Sequence, residues 1–280
     1  MRVKSPGRDL TDARVPARAE PSRAALLLSC TGLVKRYADG PPALDHVSFE
    51  MGAPQFTVLL GSSGSGKTTL LRAIAGLVDL DEGEIAVAGT ALTRSNLSAV
   101  RRRLGMVHQE FGLTDRLTAA QNVLAGAAAD ISWPRLLFQA YPRPLRVEAC
   151  ALLAEVGLTE VQANRKAREL SGGQRQRVGI ARALIGRPQV FLADEPVANL
   201  DPQTASGILA LLREAVSSHG VGVLCSLHQT DLACQYADRI IGLKAGRLVF
   251  DGPPSSLTPD AVAALFGSAE PAGAPASAAA

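Results

Sequence analysis

A chain of 280 residues that is 47% hydrophobic is long enough to bury a substantial core, as one large α/β domain or one domain with an inserted subdomain. Its formal net charge of +3 lies wholly at the start, where Arg2, Lys4, Arg8, Arg14, Arg18 and Arg23 outnumber Asp9, Asp12 and Glu20; the balanced remainder argues against a nucleic-acid-binding face. No apolar run reaches the length of a membrane span, and Cys30, Cys150, Cys225 and Cys234 lack metal-type pairing, so reduced thiols acting as small core residues are expected.

Residues 1–24 are Arg/Pro-rich with no apolar h-region, which reads as a disordered basic leader rather than a signal peptide. The folded domain is expected over 25–268, and the Ala/Pro-rich segment 269–280 is expected to be disordered. Residues 26–29 and 47–50 read as strands separated by the turn chemistry of Asp39-Gly40-Pro41-Pro42. Tyr37, just before that turn, is either a half-buried strand tyrosine or a ring that stacks on a purine base. Next, an apolar strand at 56–60 leads into Gly61-Ser62-Ser63-Gly64-Ser65-Gly66-Lys67-Thr68, then Thr69 and a helical pattern at 70–74. Two spaced glycines, a lysine and a hydroxyl between strand and helix form a phosphate-binding loop. The glycines let backbone N–H groups turn towards a polyphosphate, and the helix presents its positive end to the same anion. Lys67 then reaches the β- and γ-phosphates, and Thr68 ligates magnesium. A plain flexible Gly/Ser turn would need neither the lysine nor the two flanking elements.

Residues 84–88 alternate, and 104–107 form a short apolar strand ending at His108-Gln109-Glu110; Arg101-Arg102-Arg103 before it reads as a solvated face. From 114 to 168 the patterns turn helical. Thr118 caps a helix running through Val123, residues 147–156 repeat at helical spacing, and Trp133-Pro134-Arg135-Leu136-Leu137-Phe138 makes an aromatic patch. The economical description is a helical insertion between two strand-bearing halves. Leu170-Ser171-Gly172-Gly173-Gln174 opens another helix, with Ser171 as N-cap and a second possible anion site. The apolar strand 190–193 ends in Asp194-Glu195. Adjacent carboxylates at a strand end are costly to bury without a cation or donors, which points to a metal-phosphate site. Neighbouring strand residues face opposite ways, so the two acids can hold different jobs. His228 follows the apolar strand 221–226. A lone histidine is usually structural, but this one lies where open α/β sheets place their ligands.

Tyr37, the loop 61–68, Gln109, the signature 170–174, Asp194-Glu195, Asn199-Leu200-Asp201 and His228 follow in the order and spacing of an ATP-binding-cassette (ABC) ATPase, a resemblance covering about residues 25–255. Within that family, residues 111–118, 122–126, 133–138 and 227–243 resemble the phosphonate-import ATPases. The resemblance implies an α/β P-loop NTPase of the ABC ATPase type, with an N-terminal antiparallel β subdomain and an α-helical subdomain inserted at about 112–180. It implies ATP and Mg2+ as cofactors. Tyr37, Gly61, Ser62, Ser63, Gly64, Ser65, Gly66, Lys67, Thr68 and Thr69 then bind the nucleotide, and Thr68, Gln109 and Asp194 hold the metal. Glu195 is the general base, His228 contacts the γ-phosphate and orients the attacking water, and Gln109 joins them as a catalytic residue. Ser171, Gly172, Gly173, Gln174 and Asp201 complete the site across a homodimer.

The expected role is the ATP-hydrolysing, energy-coupling subunit of an importer for phosphonates or related phosphorus oxyanions such as phosphite. It would be peripheral on the cytoplasmic face of the cell inner (plasma) membrane, with integral-membrane permease subunits as partners and a periplasmic or extracellular solute-binding protein served indirectly. The alternatives are a soluble ABC subunit of a carbon–phosphorus lyase complex and an importer ATPase for another solute; a DNA-repair ABC protein is disfavoured by the neutral domain. Trp133, Leu136, Leu137 and Phe138 either contact the permease or fill the subdomain's own core. Two departures stand out: Asn199 where the phosphonate-import ATPases usually carry serine, and the long leader.

Overall fold

A computed structural model describes residues 26–38, 40–107, 112–138 and 140–267. The expectations for the leader, for the tail 269–280, for Asp39 in the first turn and for Gln109 fall outside the described residues. In chain order the first half contains β1 (Leu28–Lys35), β2 (Leu44–Met51), β3 (Phe56–Leu60), α1 (Lys67–Ile74), β4 (Glu82–Val87), β5 (Thr90–Ala91), α2 (Leu97–Arg101) and β6 (Leu104–Val107). There follow α3 (Ala119–Ala125), α4 (Trp133–Leu137), α5 (Arg143–Glu155), α6 (Glu160–Ala163) and α7 (Gly172–Leu184). The chain then returns to strands with β7 (Val190–Ala193), α8 (Pro202–His219), β8 (Gly222–Leu227), α9 (Thr230–Tyr236), β9 (Arg239–Lys244), β10 (Arg247–Gly252) and α10 (Pro259–Phe266).

The strands form two sheets. An antiparallel one has the order β2-β1-β4-β5, and a six-stranded one has the order β10-β9-β3-β8-β7-β6. In the larger sheet β6, β7, β8, β3 and β9 run parallel, and only β10 is antiparallel to its neighbour. Alternate side chains of its central strands enter two separate cores, as the two-residue period of a strand requires. Val58, Phe191, Val223 and Cys225 join the helices α3, α5, α7 and α8 on one face. Leu59, Leu192 and Leu224 join α1 and the small sheet on the other. Both faces are covered, which is why β3, β7 and β8 are nearly continuous apolar runs, interrupted by the hydroxyls of Thr57 and Ser226, and why each is buried along its whole length.

This register sets up the functional edge. Leu60 pairs with Leu227, and Ala193 with Cys225, so the loops after β3 and β8 leave the sheet level with each other at its carboxyl end, and the loop after β7 leaves two residues earlier. Gly61, Asp194 and His228 are the first residues out.

Several local readings change. β1 runs to Lys35 rather than stopping at 29, because register shifts and Gly32 (φ 59) interrupt its alternation. α5 begins at Arg143 rather than 147 and carries Pro144 in its first turn, where a missing N–H costs nothing. α8 escaped the sequence reading, although Asp201 as N-cap, Pro202 in the first turn and Gly220 (φ 63) at the end mark both termini. The core alternative for the aromatic patch does not hold for three of its residues: Trp133, Leu137 and Phe138 are 72%, 65% and 78% exposed, and only Leu136 is half-buried. α4 is a short helix with no buried residue, so its side chains have no facing layer to enter.

Candidate functional site

The loop from Gly61 to Thr68 is shaped by positions that tolerate no side chain. A Cβ on Gly61 would lie 2.2 Å from the Leu243 carbonyl oxygen, and one on Gly66 would lie 2.4 Å from that of Ala43. Gly66 also has φ 106 at the N-cap of α1, a left-handed conformation that glycine alone enters freely. The loop's backbone therefore packs closely against neighbouring main chain at Gly61 and Gly66 and hands straight over to the helix N-terminus. Within it the Ser65 hydroxyl is buried and has no hydrogen-bond partner among the described residues, so the cradle keeps polar capacity that the protein does not use.

Lys67, itself buried, donates to the carbonyls of Gly61 (2.8 Å) and Ser62 (2.9 Å), and its Nζ lies 3.4 Å from His228 Nδ1. Burial holds its pKa below the ordinary lysine range, while the charges of Glu195 and Asp194 act in the opposite direction. A cation in a poorly solvated cradle favours an anionic visitor.

Asp194 and Glu195 are the first residues past the end of β7, and their side chains go to different partners. Asp194 Oδ1 accepts from the Thr68 hydroxyl at 3.1 Å and from the Ser226 hydroxyl at 2.9 Å, and its N–H donates to Val107 O. Glu195 sits at φ 49, an uncommon conformation for a side-chain-bearing residue and one that tends to mark functional turns. Its N–H donates to Ser226 Oγ at 2.8 Å, and its Oε1 lies 2.5 Å from His228 Nε2. An ammonium offers no acceptor, so His228 Nδ1 accepts from Lys67 and Nε2 donates to Glu195. Beside this pair is a cavity of ≈60 Å³ lined in part by Glu195, Ala198, Ser226 and His228, large enough for water.

Ser226 is the residue the sequence reading missed. It is fully buried in β8 and ties the two carboxylate residues together, accepting from the main chain of one and donating to the side chain of the other. Its one signal is a hydroxyl in an otherwise apolar strand end facing Asp194-Glu195. Ser226→Ala is expected to lower stability by about 1–3 kcal/mol, the cost of unsatisfied buried groups, and to lower kcat roughly 10-fold with little change in KM. Ser226→Thr should restore kcat. Thermal unfolding and steady-state ATP turnover measure the two effects separately, and a stability loss without a kcat loss would reduce Ser226 to a packing residue.

The remaining predicted residues fall into separate groups. Ser171 caps α7 through a reciprocal pair: its hydroxyl accepts from Gln174 N at 3.3 Å, and Gln174 Oε1 accepts from Ser171 N at 3.0 Å. Gly173 faces the start of α8 so closely that a Cβ there would lie 2.5 Å from Thr204 Cγ2. Asp201 caps α8 by accepting from Thr204 N at 3.0 Å, and its hydrogen bonds with Thr204 hold its carboxyl below the usual range. Asn199 has φ 61. Asparagine tolerates that region better than serine, which gives the departure at this position a physical reason. Tyr37 is half exposed, with Lys35 Nζ 5.6 Å from its ring centroid. Among the described residues the network of Lys67, Thr68, Asp194, Glu195, Ser226 and His228 extends to none of Tyr37, Ser63, Thr69, Ser171, Gln174 or Asp201.

The donors present suit magnesium bound together with phosphate. No group of three or more His, Cys, Asp or Glu side chains able to hold a metal occurs among the described residues. Magnesium ordinarily takes one or two carboxylates and leaves its other positions to phosphate oxygens and water. The oxygens of Thr68 and Asp194, beside a glycine cradle with an orphan hydroxyl, meet that requirement.

A family model described as ABC transporter matches residues 44–198. The chain is 54% identical over 243 residues to the "Phosphonates import ATP-binding protein PhnC" of Hyphomonas neptunium, covering 87% of this chain and 92% of that one. It is 45% identical to the "Phosphate-import ATP-binding protein PhnC" of Mycolicibacterium smegmatis, covering 87% and 93%. Among solved structures it resembles the dimeric post-hydrolysis state of an ATP-binding cassette bound to ADP and Pi, at 33% identity and a TM-score of 0.71 over 81% of this chain and 98% of the other.

Proposed function

The chain belongs to the ABC transporter family, and on that footing we propose that it is the energy-coupling ATPase of an importer for phosphonates or a closely related phosphorus oxyanion. The observation that carries the reading is the convergence of Lys67, Thr68, Asp194, Glu195 and His228 at one sheet edge, in a chain most of whose length aligns with phosphonate-import relatives.

In this reading Lys67 and the loop N–H groups provide a fixed positive field for the β- and γ-phosphates, the main requirement of a loose phosphoryl-transfer transition state. Thr68 and Asp194, with Gln109, would hold Mg2+, which when bound offsets phosphate charge. Glu195 takes the proton of the attacking water as general base. His228, already hydrogen-bonded to Glu195 Oε1, orients that carboxylate and meets the γ-phosphate. Ser171, Gly172, Gly173 and Gln174 complete the site of a second copy, with Asp201 at the seam. ATP then closes the homodimer and hydrolysis opens it. Residues 112–180 act as the helical subdomain inserted in a nucleotide-binding domain spanning 25–268.

No described helix is long and apolar enough to cross a membrane, so transport requires permease subunits, and the chain works as a peripheral protein on the cytoplasmic face of the plasma membrane. The phosphate-import relative favours a second reading in which the solute is inorganic phosphate. Capture with the Glu195→Gln variant in ATP and Mg2+ from detergent-solubilised cells is expected to recover a multi-span permease. Its companion binding protein is then titrated with methylphosphonate, phosphite and phosphate. Tightest binding of methylphosphonate or phosphite supports the first reading, and tightest binding of phosphate the second. Recovery of soluble carbon–phosphorus-cleaving subunits without a permease would overturn both.

A further inference from the structure

The segment between α3 and α5 sorts its apolar residues in an uneven way. Tyr141 and Leu145 pack against the core, while Trp133, Leu137 and Phe138 remain more than half exposed. The segment holds a definite shape: the N–H of Phe138 donates to Pro134 O at 3.1 Å and that of Ala140 to Arg135 O at 2.8 Å. The same segment carries Arg135, between the exposed rings, and Arg143 and Arg146 in the first turn of α5, all exposed. None of the three has an ion pair or side-chain hydrogen bond among the described residues, in a protein whose other arginines are often paired, as in Arg239 with Asp251 and Arg187 with Glu148. The sequence places no Asp or Glu between Asp130 and Glu148.

We propose that this face, Trp133, Leu137 and Phe138 with Arg135, Arg143 and Arg146, seats on the anionic headgroup surface of the membrane. The inference rests on the importer reading, because that function brings the chain to a membrane. The amphipathic indole of Trp133 and the apolar Leu137 and Phe138, in one segment with arginines that have no ion pair, match the water–lipid boundary, where apolar bodies are buried and cations meet phosphate headgroups. Charge separates lipid from permease as the occupant. Cytoplasmic loops of membrane proteins carry an excess of Lys and Arg, which would repel three unpaired arginines, whereas the cytoplasmic leaflet is negative and attracts them. The short helix α4, with no buried side chain, then has the bilayer as its missing layer. The face is a fixed contact that sets the height and tilt of the nucleotide-binding domain against the membrane.

Trp133 is the only tryptophan in the chain, so the intact protein reports this contact by its own fluorescence. Titration with phosphatidylglycerol/phosphatidylcholine vesicles is expected to shift the emission to the blue and to make it quenchable by brominated acyl chains. Pure phosphatidylcholine should bind on the order of 100-fold more weakly, the product of three basic residues near a charged surface. The triple variant Arg135→Gln, Arg143→Gln, Arg146→Gln should lose that discrimination and keep its ATP turnover. Three results overturn the proposal. The first is unchanged emission on anionic vesicles, and the second is a change only in proteoliposomes that contain the permease, which assigns the face to protein. The third is sedimentation of the protein with vesicles without a change in Trp133 emission, which assigns the contact to another segment such as the basic leader. ATP turnover and permease capture, measured on the same preparations, separate failure of this inference from failure of the importer reading.

Discussion

Glu195→Gln is expected to retain ATP binding and lose roughly 10²–10⁴-fold in turnover, the usual contribution of a positioned general base. The substitution keeps the shape of the side chain and leaves the main-chain bond to Ser226 intact, so the left-handed turn at 195 should persist. What disappears is the ability to take a proton. The amide can still meet His228, and the variant should therefore hold nucleotide without consuming it. Equilibrium nucleotide binding and single-turnover hydrolysis check the two halves of this expectation, and a normal single-turnover rate would remove Glu195 from the role of base.

Lys67→Ala should instead act on binding, weakening ATP affinity about 10–100-fold through loss of charge-assisted hydrogen bonds worth about 1.5–3 kcal/mol. An effect of alkaline pH accompanies it. Burial lowers the Lys67 pKa in the folded chain, so between that lowered value and the ordinary lysine value of about 10.4 the unfolded chain binds more protons. Stability of the empty wild type should therefore rise with pH in that window relative to Lys67→Ala. Urea midpoints of both proteins at several alkaline pH values give the difference. A wild-type curve parallel to the variant's would mean that the folded environment does not lower this pKa.

The parts of the site that were legible in the sequence are those where one residue type answers one local need. The buried runs of β3 and β7 announce strands covered on both faces, and the glycines of the loop announce backbone in close contact with other backbone. Asp194 and Glu195 stand out because paired acids need a reason at the end of an apolar strand. Ser226 did not stand out, since its importance lies in a register: β8 sets it beside Asp194 only after β7 and β8 pair. Pairing partners are non-local information. The exposure of Trp133 and Phe138 was equally invisible, because an aromatic patch reads alike whether a second layer covers it or not. The early end assigned to β1 has a third cause, the bulges that break its alternation.

Lys67 is bonded to Gly61 and Ser62, and Glu195 to His228. An arriving nucleotide must displace those bonds, so its affinity reflects only the margin by which new contacts exceed the old. In the proposed ATPase cycle a single copy is thus a modest trap, and firm capture waits for a second copy to close over the phosphates. In that proposed cycle, once the second copy withdraws, the same internal bonds re-form and help to expel the spent nucleotide.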